Sequence, residues 1–335
     1  MISISSKPTD RTIWEANMNG MKPTIFGMLL VLAGLGTAAL AAEDPPKQRL
    51  DQTFVAGKFR IFYCLEGPSA VPADDADQSG VPDRVEDVAR QLNVAYRLFC
   101  EVLKFPDPLA SERYPGVTCI QVSLRQSKSN GTAFDESGRA RAIPEGQPGE
   151  RALSIAISNR VDPQKNVTPA HEFFHLIQYG ATYFKNRWYL EGMTRWAEHA
   201  VSSGGLGDVR YPAEGPWPQS ESHQNELTQL AYDAEFVLWN PIAQATDPSG
   251  RLPDSAAMRE LAAVRYSDGK PVLADMNLRG YEVMREILLE LGKLDDVAFQ
   301  ELGYQSWSEA NQKSKQNDPY IYAGSMKVLQ RFLDR

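Results

Sequence analysis

Residues 171 to 175 read His-Glu-Phe-Phe-His, two imidazoles four positions apart with a carboxylate beside the first. On a helix, positions i and i+4 lie one turn apart on one face, so both rings can reach a single ion. Glu172 sits about 100° around the axis, near enough to hold a water bound to that ion without replacing it as a ligand. A zinc ion lowers the pKa of its water towards about 7, and the neighbouring carboxylate takes the proton as attack on a carbonyl begins. Histidine is scarce here, four in 335 residues, and two of the four fall in this pentapeptide. The competing reading is an amphipathic core helix with two incidental histidines.

A third ligand is found in Trp188-Tyr189-Leu190-Glu191-Gly192, where fifteen residues separate Glu191 from His175. That gap is long enough for a loop to fold back and present a carboxylate from the start of the next helix. Three protein ligands and one open position make the catalytic arrangement of zinc, as opposed to the closed structural one. Otherwise Glu191 is a solvated first-turn acid favoured by the helix dipole. Glu198 lies seven residues on, two turns down the same face. It either orients a ligand histidine or replaces Glu191 as ligand, and the motif favours Glu191.

A second cluster, Asp75-Ala76-Asp77-Gln78-Ser79-Gly80-Val81-Pro82-Asp83-Arg84-Val85-Glu86, follows the twelve-position calcium loop. Oxygen ligands fall on Asp75, Asp77, Ser79, Asp83 and Glu86, with the Val81 carbonyl at position 7 and Gly80 at the sharp turn. Pro82 departs from the paired EF-hand, so the reading is a lone structural Ca2+ loop. The competing reading is a solvated acidic turn that caps a helix.

The pentapeptide followed by Leu190-Glu191-Gly192 resembles the gluzincin metallopeptidases. The likeness is to secreted bacterial members of an uncharacterised subfamily that pair such a helix with an aspartate-rich loop near the start, and it covers residues 55 to 200 or so. The resemblance implies Zn2+ on His171, His175 and Glu191, Glu172 as general base, and peptide-bond hydrolysis. It also implies a zincin-like α+β fold, a short mixed sheet over the active-site helix. The strand near Leu153 to Ser158 is then the edge along which an extended substrate adds. Gluzincins usually supply a Tyr or His that stabilises the oxyanion. His223, Tyr232 and Tyr211 stand in the right part of the chain, but each reads as structural, as does His199.

The elements that must position these groups follow from periodicity. Phe59–Tyr63, Cys119–Leu124 and Leu153–Ser158 read as strands; the last two alternate apolar and polar residues. Gly67–Pro82 and residues 126–150 read as loops. Val85, Val88, Leu92, Ala95, Phe99 and Val102 give one apolar face to a helix over Asp83–Lys104. Thr168 as N-cap and Pro169 at the first turn start a helix that Gly180 closes after Tyr179. A second helix follows over Leu190–Val201, then helical stretches over Glu226–Trp239, Ser255–Val264, Tyr281–Leu291 and Ala323–Leu333. Residues 42–205 therefore read as the catalytic subdomain and 206–335 as a mostly helical C-terminal subdomain.

Ahead of these, Met21–Ala42 joins a short basic start to an apolar run and the small-x-small pattern Ala39-Leu40-Ala41. This reads as a secretory signal peptide ending near residue 41, and implies a secreted or periplasmic protein with no membrane span after cleavage; the competing reading is an uncleaved membrane anchor, and an initiation site at Met21 would explain the polar residues 1–20. Residues 1–41 carry Lys7, Arg11 and Lys22 against Asp10 and Glu15, so the remainder is one unit more acidic than the net −8 of the whole chain. Such acidity argues against nucleic acid and anionic membrane as partners and leaves a peptide or protein substrate. Cys64, Cys100 and Cys119 have spacings that match no zinc motif and read as structural. Two other functions compete with the peptidase: a zinc hydrolase of a non-peptide acyl substrate, and a calcium-dependent extracellular binding or adhesion protein on a degenerate gluzincin scaffold.

Overall fold

Two short runs rich in apolar and aromatic residues, Gln52–Ala56 (β1) and Phe59–Tyr63 (β2), pair antiparallel across a tight turn. Gly57 in that turn has φ +59°, a conformation glycine adopts without strain. This is a computed structural model, and it describes residues 48–142, 151–201, 210 and 218–335. The expected signal peptide, the linker Glu43–Lys47, residues 143–150 of the expected loop, and Tyr211 lie outside the described residues.

From β2 the chain crosses through helix α1 (Asp83–Tyr96), so that β3 (Val117–Arg125) lies parallel to β2. Val85, Val88, Leu92 and Ala95 are buried, as the period predicts. The helix ends in a π-helical turn over Arg97–Val102. Next come β4 (Gly131–Arg139) and β5 (Arg151–Ser158). β5 inserts between its predecessors, parallel to β3 and antiparallel to β4, so the mixed sheet runs β1-β2-β3-β5-β4.

Two expectations change here. Residues 126–150 contain a nine-residue strand, β4, where a surface loop was expected. Its residues are Gly, Thr, Ala, Asp, Glu, Ser and Arg around one Phe, so no run of large apolar residues in alternation marks it; backbone pairing with β5 holds it. Because β4 takes the outer position, Leu153–Ser158 is an inner strand, and the free edge belongs to β4.

Helix α2 (Thr168–Ala181) carries the His-Glu-Phe-Phe-His segment and α3 (Arg187–Glu198) carries Glu191. Thr168 is the first helical residue and not the N-cap. The N-cap position is Val167, and Asn166 before it forms an Asx turn, its Oδ1 accepting from the Thr168 N–H (2.8 Å) and hydroxyl (2.6 Å). The helix runs through Gly180, which lets Pro108 approach; an added Cβ would lie 3.2 Å from the Pro108 Cα. Beyond residue 218 come α4 (Glu221–Leu227), a π-helical turn Glu235–Trp239, α5 (Asn240–Thr246), α6 (Ala256–Ala263), α7 (Tyr281–Glu301), α8 (Glu309–Gln312) and α9 (Asp318–Leu333). The single helix expected over Glu226–Trp239 is therefore two pieces, and α7 and α9 are longer than expected.

The core holds α2 and α3 firmly. The two residues between the histidines, Phe173 and Phe174, are fully buried. Phe173 meets Phe59 and Tyr96, and Phe174 meets Phe99, Phe105 and Trp196, all at ring separations of 5.0–6.2 Å. Their burial, about 1.5–3 kcal/mol each, turns the opposite face of α2 towards the sheet edge. The same apolar cluster continues into the C-terminal helices, and Lys47–Arg335 forms one compact unit. Among the described residues no helix is long and apolar enough to cross a membrane, and no disulfide joins Cys64, Cys100 or Cys119.

Candidate metal centre

One helical turn of α2 stacks His171 and His175 with ring centroids 4.6 Å apart and planes at 89°. Their Nε2 atoms face each other at 3.0 Å, and Glu191 Oε2 of α3 lies 3.5 Å from each. The Nδ1 atoms are already committed. His171 Nδ1 donates to Glu198 Oε1 at 2.7 Å, and His175 Nδ1 donates to Gln178 Oε1 at 2.9 Å. A carboxylate and an amide oxygen can only accept, so the ring proton sits on Nδ1 in both cases. Gln178 is oriented by its own Nε2 donating to the Leu190 carbonyl and by the Thr194 hydroxyl donating to its Oε1.

With both rings neutral, two imidazole lone pairs and a carboxylate oxygen therefore converge on one point. Glu191 Oε2 is buried and accepts no hydrogen bond among the described residues. A tetrahedral ion with bonds of about 2.1 Å has ligand–ligand edges of about 3.4 Å. The three separations fit such an ion, and the donor set of two nitrogens and one oxygen suits a divalent transition metal. Without a cation the cluster binds protons. Burial disfavours charge on His171, but Glu191 and Glu198 outweigh it and push its pKa up to about 9. Burial likewise opposes ionisation of Glu191, yet the two imidazoles hold its carboxyl well below the usual range.

Glu172 is buried beside the cluster. Burial pushes its carboxyl up, an effect the His175 and His171 rings partly offset. Its position depends on Gly131, the first residue of β4. A Cβ built there would lie 2.4 Å from Glu172 Oε1, 2.6 Å from its Cγ and 2.6 Å from Thr168 Cγ2. The edge strand thus passes directly over the carboxylate.

Two open cavities flank the cluster along β4. One, of about 610 Å³, is lined by Thr132, Phe134, Asp135, Lys185, Arg187 and Glu191 among others. The other, of about 580 Å³, includes Gly131, His171, Glu172, Arg195, Glu198 and Tyr232. Tyr232 stands at the rim with its ring 6.2 Å from that of His171, and burial and the Glu191 carboxylate raise its phenol pKa. The other residues weighed with it sit elsewhere: His223 follows the Ser220 cap of α4, and His199 holds Glu235.

Gly131, Gln178 and Thr194 escaped the sequence reading. Gln178 lies three residues after His175 and Thr194 three after Glu191, each on its ligand's face of the helix, and that spacing was the available signal. Of the two acids weighed, Glu198 bonds His171 Nδ1 at 2.7 Å while Glu191 faces the Nε2 atoms.

In the aspartate loop, Asp75, Asp77 and Asp83 bring carboxylate oxygens within 4.8 Å of one another. Asp75 accepts from the Ser79 and Gly80 N–H groups, and Asp77 from Ser79 N–H. Gly80 has φ +84°, as the sharp turn at position 6 requires. The Ser79 hydroxyl donates to the Val81 carbonyl at 3.3 Å. Glu86 does not join them; it turns along α1 to Arg90 at 2.8 Å.

No protein-family model, curated protein or solved structure matches this chain.

Proposed function

We propose that this protein is an exported zinc-dependent peptidase, with His171, His175 and Glu191 as ligands on a zincin-like arrangement of sheet edge and helices. The observation that carries the reading is the convergence of three lone pairs, both Nδ1 protons being held elsewhere. Bound zinc would supply Lewis acidity, polarising the scissile carbonyl and acidifying water.

The chain's own residues supply the rest. Glu172, buried and with a raised pKa, takes a proton from the attacking water and delivers it to the leaving amine. Tyr232 keeps its phenol protonated and donates to the oxygen that becomes negative. Glu198 and Gln178 fix the tautomers of the two ligand rings. β4 is the outer strand of the sheet and runs beside both cavities, and an extended peptide adds along its edge as a further strand. That edge favours a peptide over other acyl substrates. The aspartate loop is read as a structural calcium site held by Asp75, Asp77 and Asp83, with oxygen from Ser79 and Val81 and without Glu86.

Glu172→Gln tests the assignment. The variant keeps its zinc and its fold and loses peptide hydrolysis by a factor of at least about 10³. Hydrolysis at the wild-type rate removes Glu172 from the mechanism.

A further inference from the structure

Beside the candidate centre, Glu198 leads on to two charged groups, Arg195 and Glu235, that the proposed reaction does not use. Glu198 gives one oxygen to His171, and its other oxygen lies 3.4 Å from Arg195 Nη1. Arg195 Nε in turn lies 3.4 Å from Glu235 Oε2. Glu235 is 1% exposed, and its second oxygen accepts from His199 Nε2 at 2.5 Å and from Asn240 Nδ2 at 3.2 Å. A carboxylate buried to that extent is retained only where its partners compensate for lost hydration, and here Arg195 and His199 come from α3 and its C-cap and Asn240 from the start of α5, directly after the turn.

The backbone is shaped to bring Glu235 there. It opens the π-helical turn Glu235–Trp239, a rare insertion found frequently at functional sites. The turn packs against α3 at Gly192, where a Cβ would lie 2.7 Å from Trp239 Nε1 and 2.8 Å from Ala234 Cβ. Gly192 directly follows the ligand Glu191, so the residue that admits the π turn also sets the ligand's helix against it.

We infer that Glu235 is a positioning residue of the metal centre, acting through Arg195 on Glu198 and so on the His171 ring. The inference rests on the metal-centre reading. Glu235 anchors the guanidinium; the guanidinium, bridging two carboxylates, fixes the rotamer of Glu198; and Glu198 fixes the ring whose Nε2 faces the ion. A guanidinium has the fork geometry for this double contact and an ammonium does not.

The test is a double-mutant cycle read out as zinc affinity, by competition with a chelator, on the full chain, with the melting temperature of each metal-free variant as control. Glu235→Gln weakens zinc binding about tenfold, the lower end of what partners of a metal-ligating histidine contribute. Arg195→Lys, which keeps a charge, does the same and serves if Glu235→Gln does not fold. In a Glu198→Gln background both effects vanish, because the path to His171 is already cut. Equal losses with and without Glu198, or no loss from either variant, overturn the role of Glu235 while leaving the centre in place. A wild-type chain that binds no zinc overturns both.

Discussion

Gly131→Ala isolates the contact between the edge strand and the proposed base. The new methyl carbon would sit 2.4 Å from Glu172 Oε1 and 2.6 Å from its Cγ, against an ordinary contact of about 3.4 Å or more. Something must therefore move by about 1 Å. β4 is tied to β5 through Gly131↔Ile157 and the pairs beyond it, and Glu172 is rooted in a packed helix. The carboxylate is the softer member and gives way. A misplacement of that size costs on the order of 10² in rate, about 2.7 kcal/mol of barrier. The overpacking itself destabilises the fold by about 1–3 kcal/mol. The assay is kcat on a cleaved peptide with saturating zinc, beside a thermal melt and a zinc count. Gly138→Ala, in the same strand with no atom within 4 Å of the new methyl, is the control and stays at the wild-type rate. A Gly131→Ala enzyme with kcat within about twofold of wild type would refute the claim that β4 sets the position of Glu172.

Three further outcomes follow from other parts of the molecule. Asp77→Ala lowers the melting temperature in calcium buffer and leaves it unchanged in chelator; an equal shift in both excludes a calcium role for the loop. Gly192→Ala forces α3 off the π turn and destabilises the chain by about 1–3 kcal/mol in a denaturant titration, whereas a neutral result would deny the close approach. Asp295, buried under the end of α2, accepts from Thr182 Oγ1 at 2.8 Å and Tyr183 N–H at 2.7 Å. Burial nevertheless raises its pKa from 3.8 to about 6. The folded chain thus keeps a proton between about pH 4 and 6 that the unfolded chain has released. The stability from this group is fully present below about pH 4 and is lost as pH rises through 6, by on the order of 3 kcal/mol. Asp295→Asn flattens that slope, and an unchanged pH profile would show that Asp295 does not carry it.

What the sequence made legible follows from how locally each feature is encoded. His171 and His175 share a helix face by spacing alone, and the apolar periods of α1, β3 and β5 reappear as buried faces. β4 carries no apolar alternation of its own, and its Gly, Ser and charged residues read as loop, so only its pairing with β5 marks it as a strand. The exchange of edge position between β5 and β4 is topological, and no residue type in either strand announces it. Glu86 was placed in the calcium loop by position, but on a helix an arginine four residues on competes for it and takes it. Tyr232 is separated from His171 by 61 positions, so its place at the rim is a product of packing.

The most direct test of the metal centre is zinc anomalous scattering from crystals of the protein prepared with zinc. A single strong peak is expected about 2.0–2.2 Å from His171 Nε2, His175 Nε2 and Glu191 Oε2, with Glu198 outside that radius. Crystals with zinc in the medium and no peak at these three atoms, or a peak ligated by Glu198 with Glu191 turned away, would contradict it.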